Sequence, residues 1–367
     1  MFFFGKKKIN TFLGVDIGES SMKVVELGLS KGRSSLQTYG YAELPMSETG
    51  AGILDNAKAM GDILARLCKE AGVKSSTAMV SLPTSNIFST VLSIPDGKDP
   101  RAIQATVYTE VAKLVPLPIQ EMVIQTTFFD DDKKIVNEKR KEEKTEKQAK
   151  NLRVLATGAA KTLVQKYVET FKAANINLQA IDTEAMALIR SLVGKDKSSI
   201  MILDIGGKRS NILIVENGIP FVSRSVTIGG NAVTNQIMRQ MGLQEAQAER
   251  AKRDIGTINA GASNLAGGLP KLLEPIMLPL VNEIRYALQL YSGMELSRSR
   301  KIEKIIVTGG SAHLPRIPEY LSGVLNMNVY RGDPWARVAF PAELSAVLEE
   351  IGPRMSVAVG LAMREIE

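Results

Sequence analysis

The sequence predicts an α/β protein built as two similar lobes around a cleft. The first reason is a repeated segment: FLGVDIGESSMKVVEL (Phe12–Leu27) and IMILDIGGKRSNILIV (Ile200–Val215) share one pattern in the two halves of the chain. Each reads as a strand, an Asp, a Gly-containing turn and a second strand, with Asp16 matching Asp204 and Gly18 matching Gly206. The second reason is that helix and strand periodicities alternate after each copy. The third is size, because 367 residues exceed one typical domain.

Each turn has the chemistry of an anion site. Alternating Val, Ile and Leu on both sides of a Gly turn mark a hairpin. Gly18, Gly206 and Gly207 let backbone N–H groups converge on a phosphate. Ser20, Ser21 and Ser210 add hydroxyls, Lys23 adds a cation, and one Asp per hairpin offers hard oxygen to hydrated Mg²⁺. Two such turns facing one another would hold a Mg-nucleotide between them. Two plain hairpins with a buried Asp in each are the alternative.

In order along the chain, the first hairpin leads to a strand near Leu36–Glu43, a helix over Leu54–Ala71 and a strand at Thr77–Leu82. An insertion, residues 86–161, follows with strands at Ile87–Ile94, Met122–Phe129 and Leu152–Thr157 and a helix at Pro100–Leu114. Within it, residues 130–151 carry seven acidic and eight basic residues and read as a solvated, flexible loop. Helix Lys161–Ala174, strand Asn177–Ile181 and a crossing helix Thr183–Val193 lead to the second hairpin. After it come strand Ile219–Ser225, the Gly229–Gly230 turn and helices at Ala232–Met241, Gln244–Ile255, Leu269–Leu273 and Leu278–Gly293. Strand Lys304–Thr308, helix Leu314–Leu325, strand Asn328–Tyr330 and helix Ser356–Met363 complete the pattern.

Composition narrows the function. Apolar residues make up 44% of the chain, no apolar run spans a bilayer, and Met1–Lys8 (MFFFGKKK) is too short for a signal peptide. The one cysteine, Cys68, excludes an internal disulfide and fits a reducing compartment, buried in a helix. The net charge of +7 is scattered, with neither an RNA-type aromatic motif nor Cys/His zinc spacing, which argues against nucleic acid. Phe2–Phe4 followed by Lys6–Lys8 is either a marginal membrane contact or a disordered start. The one histidine, His313, has no partner for a metal site and no GxSxG elbow to serve, so it reads as a loop residue without a catalytic part.

These motifs resemble those of the actin-like ATPase superfamily, with its ribonuclease H-like lobes, over essentially the whole chain. LGVDIGESSMKVV and ILDIGGKRSNI are similar to its two phosphate motifs, DTEAMALIR (Asp182–Arg190) and SVAVGLAMRE (Ser356–Glu365) to its connecting helices. AERAKRDIG (Ala248–Gly256) resembles its nucleoside-contacting helix, and IIVTGGSAHLPRIPEYL its adenosine motif. The KKK lead-in, LSIPDGKD, YTEVAKLVPLPIQEM and EIRYALQLYSG (Glu283–Gly293) resemble the PilM family of type IV pilus assembly proteins. FtsA shares the layout but usually carries a long tail with an amphipathic membrane helix, whereas this sequence ends at Glu367.

The resemblance implies a first lobe over residues 1–182 and a second over 183–367, with a nucleoside-binding subdomain at about 232–300 and a C-terminal connecting helix. ATP or ADP with Mg²⁺ would be held by Asp16, Gly18, Ser20, Ser21 and Lys23 from one side and by Asp204, Gly206 and Gly207 from the other. Asp16 and Asp204 would hold the metal mainly through water. Glu249 and Lys252 would contact ribose and base, or form a plain surface pair. Gly309, Gly310 and Ser311 would let the backbone approach the adenosine. Glu184 would either position the attacking water or serve as a helix N-terminal acid. Lys208 and Arg209 depart from a small polar second turn; either one of them faces phosphate or both face solvent.

The implied role is a cytoplasmic ATP-binding scaffold, at most a slow ATPase, held at the inner face of the membrane through partners. Its partner would be a PilN-like inner-membrane protein, whose N-terminal cytoplasmic peptide would lie in a groove lined from Ser81–Pro95 and Ala102–Val115. Other pilus assembly proteins would join it, and self-association stays open. A filament or division protein (MreB- or FtsA-like) and a small-molecule kinase are the other readings, the kinase disfavoured by the lack of a substrate-facing acidic motif. A chaperone ATPase would need a substrate domain after the second connecting helix.

Overall fold

The computed structural model describes residues 11–30, 32–44, 54–95, 100–129, 151–260, 273–297 and 299–366. The expected helix Leu269–Leu273 short of Leu273, the membrane-contact reading of Met1–Lys8 and all but the last residue of the charged loop 130–151 lie outside them. Asn86–Gln165 with Glu295–Arg298 form one compact unit, and the rest of the chain forms another.

The larger unit is built on two sheets of one topology. Strands β1 (Thr11–Ile17), β2 (Ser21–Ser30), β3 (Arg33–Glu43), β4 (Thr77–Leu82) and β8 (Asn177–Thr183) lie in the order β3-β2-β1-β4-β8, and β14 (Val338–Ala339) adds a parallel edge beside β3. Strands β9 (Ile200–Ile205), β10 (Ser210–Glu216), β11 (Ile219–Val226), β12 (Lys304–Thr308) and β13 (Asn328–Arg331) repeat it as β11-β10-β9-β12-β13. In both sheets the first three strands run antiparallel and the last two join in parallel. Parallel strands buried on both faces need continuous apolar runs, and Ile200–Leu203 and Ile305–Val307 supply them.

Two helical segments sit between the sheets. Helix α4 (Glu184–Leu188) continues into a π-type turn, Ile189–Val193, and α9 (Ser345–Ala362) crosses it. Ala187, Leu188, Ile189, Val357 and Leu361 pack there with Met79, Ile202, Leu213 and Ile306 in one apolar cluster. The crossing is close because Gly360 has no side chain: a Cβ there would collide with the Ala187 carbonyl oxygen and stand 2.5 Å from its carbon. Arg190 ties the crossing polarly, donating to the Gly360 carbonyl at 3.2 Å and pairing with Asp182.

Sequence periodicity misjudges two of these helices. The second connecting helix was expected from Ser356, yet α9 begins at Ser345 and carries Gly352 and Pro353 inside it. Proline removes a donor but keeps its carbonyl, and the Pro353 oxygen accepts from Gly309 N–H and Thr308 Oγ1, both at 3.0 Å. The expected helix Leu314–Leu325 starts three residues later, as α8 (Ile317–Leu325) after a 3₁₀ turn at Gly310–His313, because Arg316 between two prolines takes a left-handed φ of 62°. Helices α1 (Ala57–Glu70), α5 (Asn231–Met241) and α6 (Glu245–Ala260) also belong to this unit. Helix α7 (Glu274–Ser292) starts four residues ahead of the expected Leu278, with Pro near its first turn. Cys68 is buried in α1, and burial raises its pKa to about 11.

The smaller unit is a three-stranded antiparallel sheet, β5 (Ile87–Pro95), β7 (Asn151–Ala160) and β6 (Met122–Phe129) in that order, with α2 (Pro100–Ala112) on it. Its core joins Ile94, Val107, Val111, Val154 and Ala156. Helix α3 (Lys161–Ala173) follows β7 and carries the chain back into the larger unit.

Candidate functional site

The two hairpins place matching side chains at matching points. Cross-strand register sets Asp16 opposite Lys23 and Asp204 opposite Asn211. Both turns close with the same hydrogen bond, Gly18 N–H to the Ser21 carbonyl at 3.0 Å and Gly206 N–H to the Arg209 carbonyl at 2.9 Å. The partners differ in charge. Lys23 Nζ donates to Asp16 Oδ2 at 2.9 Å, whereas Asp204 Oδ2 receives the neutral Asn211 amide at 3.3 Å. Burial, then the nearby charge of Asp16, therefore lifts the Asp204 pKa to about 6.

Glu184 joins these two acids. Thr183 caps α4, its Oγ1 accepting from Met186 N–H at 3.2 Å, which leaves the Glu184 carboxylate free to turn away from its own helix. Glu184 Oε2 accepts from Thr84 N–H at 2.8 Å, Thr84 Oγ1 at 2.9 Å and Asn211 Nδ2 at 3.1 Å. Burial, then Asp16 and Asp204, raises its pKa to about 7. A carboxyl poised there can hold or release a proton at neutral pH. Tyr167, fully buried on α3, feels the charges of Glu184 and Asp16, and burial above all pushes its pKa well up.

A second wall closes on the Gly206–Gly207 turn. Gly230 N–H donates to the Gly206 carbonyl at 2.9 Å, Asn231 N–H to the Gly207 carbonyl at 2.7 Å, and Ser311 Oγ to the Gly206 carbonyl at 3.1 Å. Gly309 takes φ of 90°, and a Cβ there would run into Asp204 Oδ1. Behind this turn Lys252 Nζ reaches Thr234 Oγ1 at 2.9 Å and Glu249 Oε1 at 2.6 Å, with its side chain only 12% exposed. Glu249 also meets the Thr234 hydroxyl. Burial alone would raise the Glu249 pKa; the Lys252 charge and its hydrogen bond more than offset this and lower it. Arg354 lies over the Tyr41 ring at 5.0 Å, and Arg253 pairs with Glu43. His313, with Arg331 and Arg354 nearby, is held neutral: burial first, then those two charges, lowers its pKa to about 4.

The two turns also meet each other. A Cβ at Gly207 would lie 2.7 Å from Ser20 Oγ. Arg209 Nε donates to Glu19 Oε1 at 3.0 Å, and Lys208 Nζ is 3.9 Å from Glu19 Oε2. Lys208 and Arg209, each more than one-third exposed, both lie within reach of this acid in the opposite turn. Glu19, Thr84, Tyr167 and Asn211 escaped the sequence reading. Asn211 had a usable signal, since it follows Asp204 by the same seven positions that separate Lys23 from Asp16. Among the described residues no three His, Cys, Asp or Glu side chains group as a metal site, and no helix is long and apolar enough to cross a membrane.

The family model described as type IV pilus assembly protein PilM matches residues 14–366. The chain belongs to the PilM family. A solved PilM–PilN type IV pilus biogenesis complex includes a chain that superposes with a TM-score of 0.79 at 22% identity, covering 97% of this chain and 98% of that one. The ethanolamine utilization protein EutJ of Carboxydothermus hydrogenoformans superposes with a TM-score of 0.55 at 13% identity, covering 98% and 91%. At those identities the likeness shows the fold alone, the actin-like one. Cell division protein FtsA of Neisseria meningitidis is 20% identical over 95% of this chain and 88% of its own length. Cell shape-determining protein MreB of Escherichia coli is 30% identical over 37% of this chain, and that match spans about half, 47%, of MreB.

Proposed function

We propose that this PilM-family chain is a cytoplasmic, nucleotide-binding scaffold of type IV pilus assembly, docked at the inner membrane through a PilN-like partner. The observation that carries the nucleotide reading is the pairing of two identically closed Gly turns, each with an Asp at the same step before it. Asp16, Gly18, Ser20, Ser21 and Lys23 would cradle the phosphates from one side, Asp204, Gly206 and Gly207 from the other. Ser311, Gly309–Gly310, Glu249 and Lys252 would take the nucleoside.

Asp16 and Asp204, at the same step of the two hairpins, offer two hard oxygen donors of the kind hydrated Mg²⁺ takes. Asp16 and Asp204 would hold Mg²⁺ through water, and the ion would supply neutralising charge for the phosphates. Glu184, oriented by Thr84 and Asn211, would position water for slow hydrolysis.

The lobes would be residues 1–182 and 183–367. The insertion 86–161 would bind the partner's N-terminal peptide. In the smaller unit Tyr108, Leu114, Leu117, Val123 and Phe128 are exposed apolar side chains, a chemistry suited to a peptide with apolar anchors. The solved PilM–PilN complex names a partner for the similar protein, and the same partner class is extended here.

Calorimetric titration of the purified protein with Mg-ATP, and with a synthetic N-terminal peptide of a PilN-like protein, tests both halves. Micromolar binding of each supports the scaffold; no nucleotide binding removes the cleft reading, and no peptide binding removes the partner reading. Asp16→Asn and Asp204→Asn are each expected to weaken Mg-ATP binding about tenfold through the lost oxygen ligand while leaving the fold intact. Wild-type affinity in both variants refutes the site.

A further inference from the structure

The turns carry opposite charge where their counterparts are small. Glu19 in the first turn stands at the step of Gly207 in the second, while Lys208 and Arg209 stand at the steps of Ser20 and Ser21. The result is an ion pair across the phosphate site, Arg209 Nε to Glu19 Oε1 at 3.0 Å, in a place where the turns already touch at Ser20 and Gly207. Glu19 Oε2 is shut off from water and accepts no hydrogen bond among the described residues; Lys208 Nζ stands 3.9 Å from it. Such a pair is incompletely satisfied and, with both side chains about one-third exposed, weakly held.

On the nucleotide reading above, we infer that Arg209 is a terminal-phosphate ligand for which Glu19 is the competing anion. A phosphate tail entering between the turns brings negative charge toward Glu19, which favours separation of the pair. The freed guanidinium presents a planar fork of donors that matches phosphate oxygens. As ligand of the terminal phosphate, Arg209 would discriminate ATP from ADP. Exchange of one anion for another on a single cation links lobe closure to the nucleotide state, with no covalent step involved.

The test is fluorescence titration of the full chain with Mg-ATP and Mg-ADP analogues, for wild type, Arg209→Gln, Arg209→Lys and Glu19→Gln, each checked for fold by circular dichroism. Arg209→Gln is expected to lose about tenfold in ATP affinity and much less for ADP, as for a charge-assisted hydrogen bond removed. Arg209→Lys, keeping charge without the fork, falls between. Glu19→Gln, which frees the guanidinium and removes an anion from the site, is expected to bind ATP more tightly. Equal losses for ATP and ADP in Arg209→Gln, no loss at all, or weaker ATP binding in Glu19→Gln would each overturn this role while leaving nucleotide binding standing. A wild-type protein that binds neither nucleotide overturns the cleft reading and this inference with it.

Discussion

Gly360→Ala is expected to destabilise the protein by about 3 kcal/mol or more, the upper range for overpacking against groups that resist displacement. The new methyl would press on the Ala187 backbone, with the carbonyl carbon at 2.5 Å and Cα at 3.0 Å. No rotamer change relieves that clash, because the obstacle is main chain in α4 and not the tip of a side chain. Relief requires α9 and α4 to separate, which strips Leu188, Val357 and Leu361 from their shared apolar cluster. The Arg190 bond to the Gly360 carbonyl lengthens with it. A urea titration followed by circular dichroism reads the effect as a lowered midpoint. A midpoint within error of wild type would mean that the helices cross with slack. Gly323, with open space where its Cβ would go, is the matched control; there Ala gains helix propensity and should be neutral or slightly stabilising.

Sequence reading reaches the parts of this molecule that local chemistry specifies and stops where distant contacts take over. The paired hairpins were legible because strand alternation, Gly and Asp all sit within one short window. The equal strand orders of the two sheets extend that repeat to the whole larger unit. Helix α9 was missed over its first eleven residues for a tertiary reason: Pro353 ordinarily breaks a helix, and here Thr308 and Gly309 use its carbonyl. The two-residue strand β14 was also missed, because Val338–Ala339 becomes a strand only by pairing with Ser34 and Ser35. The same division runs through the site. Asp16, Asp204 and Glu184 could be named individually, but the sequence carries no sign that Asn211 bridges Asp204 and Glu184, or that Thr84 donates twice to Glu184. Lys208 and Arg209 were visible as oddities, and their role depended on an acid from the other turn.

Glu184→Gln is expected to stabilise the protein at alkaline pH and to slow nucleotide hydrolysis sharply. The sign follows from linkage. The folded state raises the Glu184 pKa from 4.5 to about 7, so the native protein binds this proton more tightly than the unfolded chain does. The protonated form favours folding at acid pH, and that advantage is lost as pH rises through about 7; Asp204, raised to about 6, behaves alike over a lower window. A glutamine stays neutral throughout and its carbonyl can still accept from Thr84. The variant should therefore gain about 1–2 kcal/mol over wild type at pH 8.5, with the gain vanishing near pH 4.5. Denaturation midpoints measured across that range test this directly. A pH-independent difference would mean that Glu184 is ionised throughout, with Thr84 and Asn211 outweighing burial. On the catalytic side, glutamine keeps the hydrogen bonds but takes no proton from an attacking water, so single-turnover hydrolysis should fall by a factor of about 10²–10³ with Mg-ATP affinity little changed. Undiminished hydrolysis in a variant that shows the stability gain would make Glu184 a buried acid of the site and leave the water to another group.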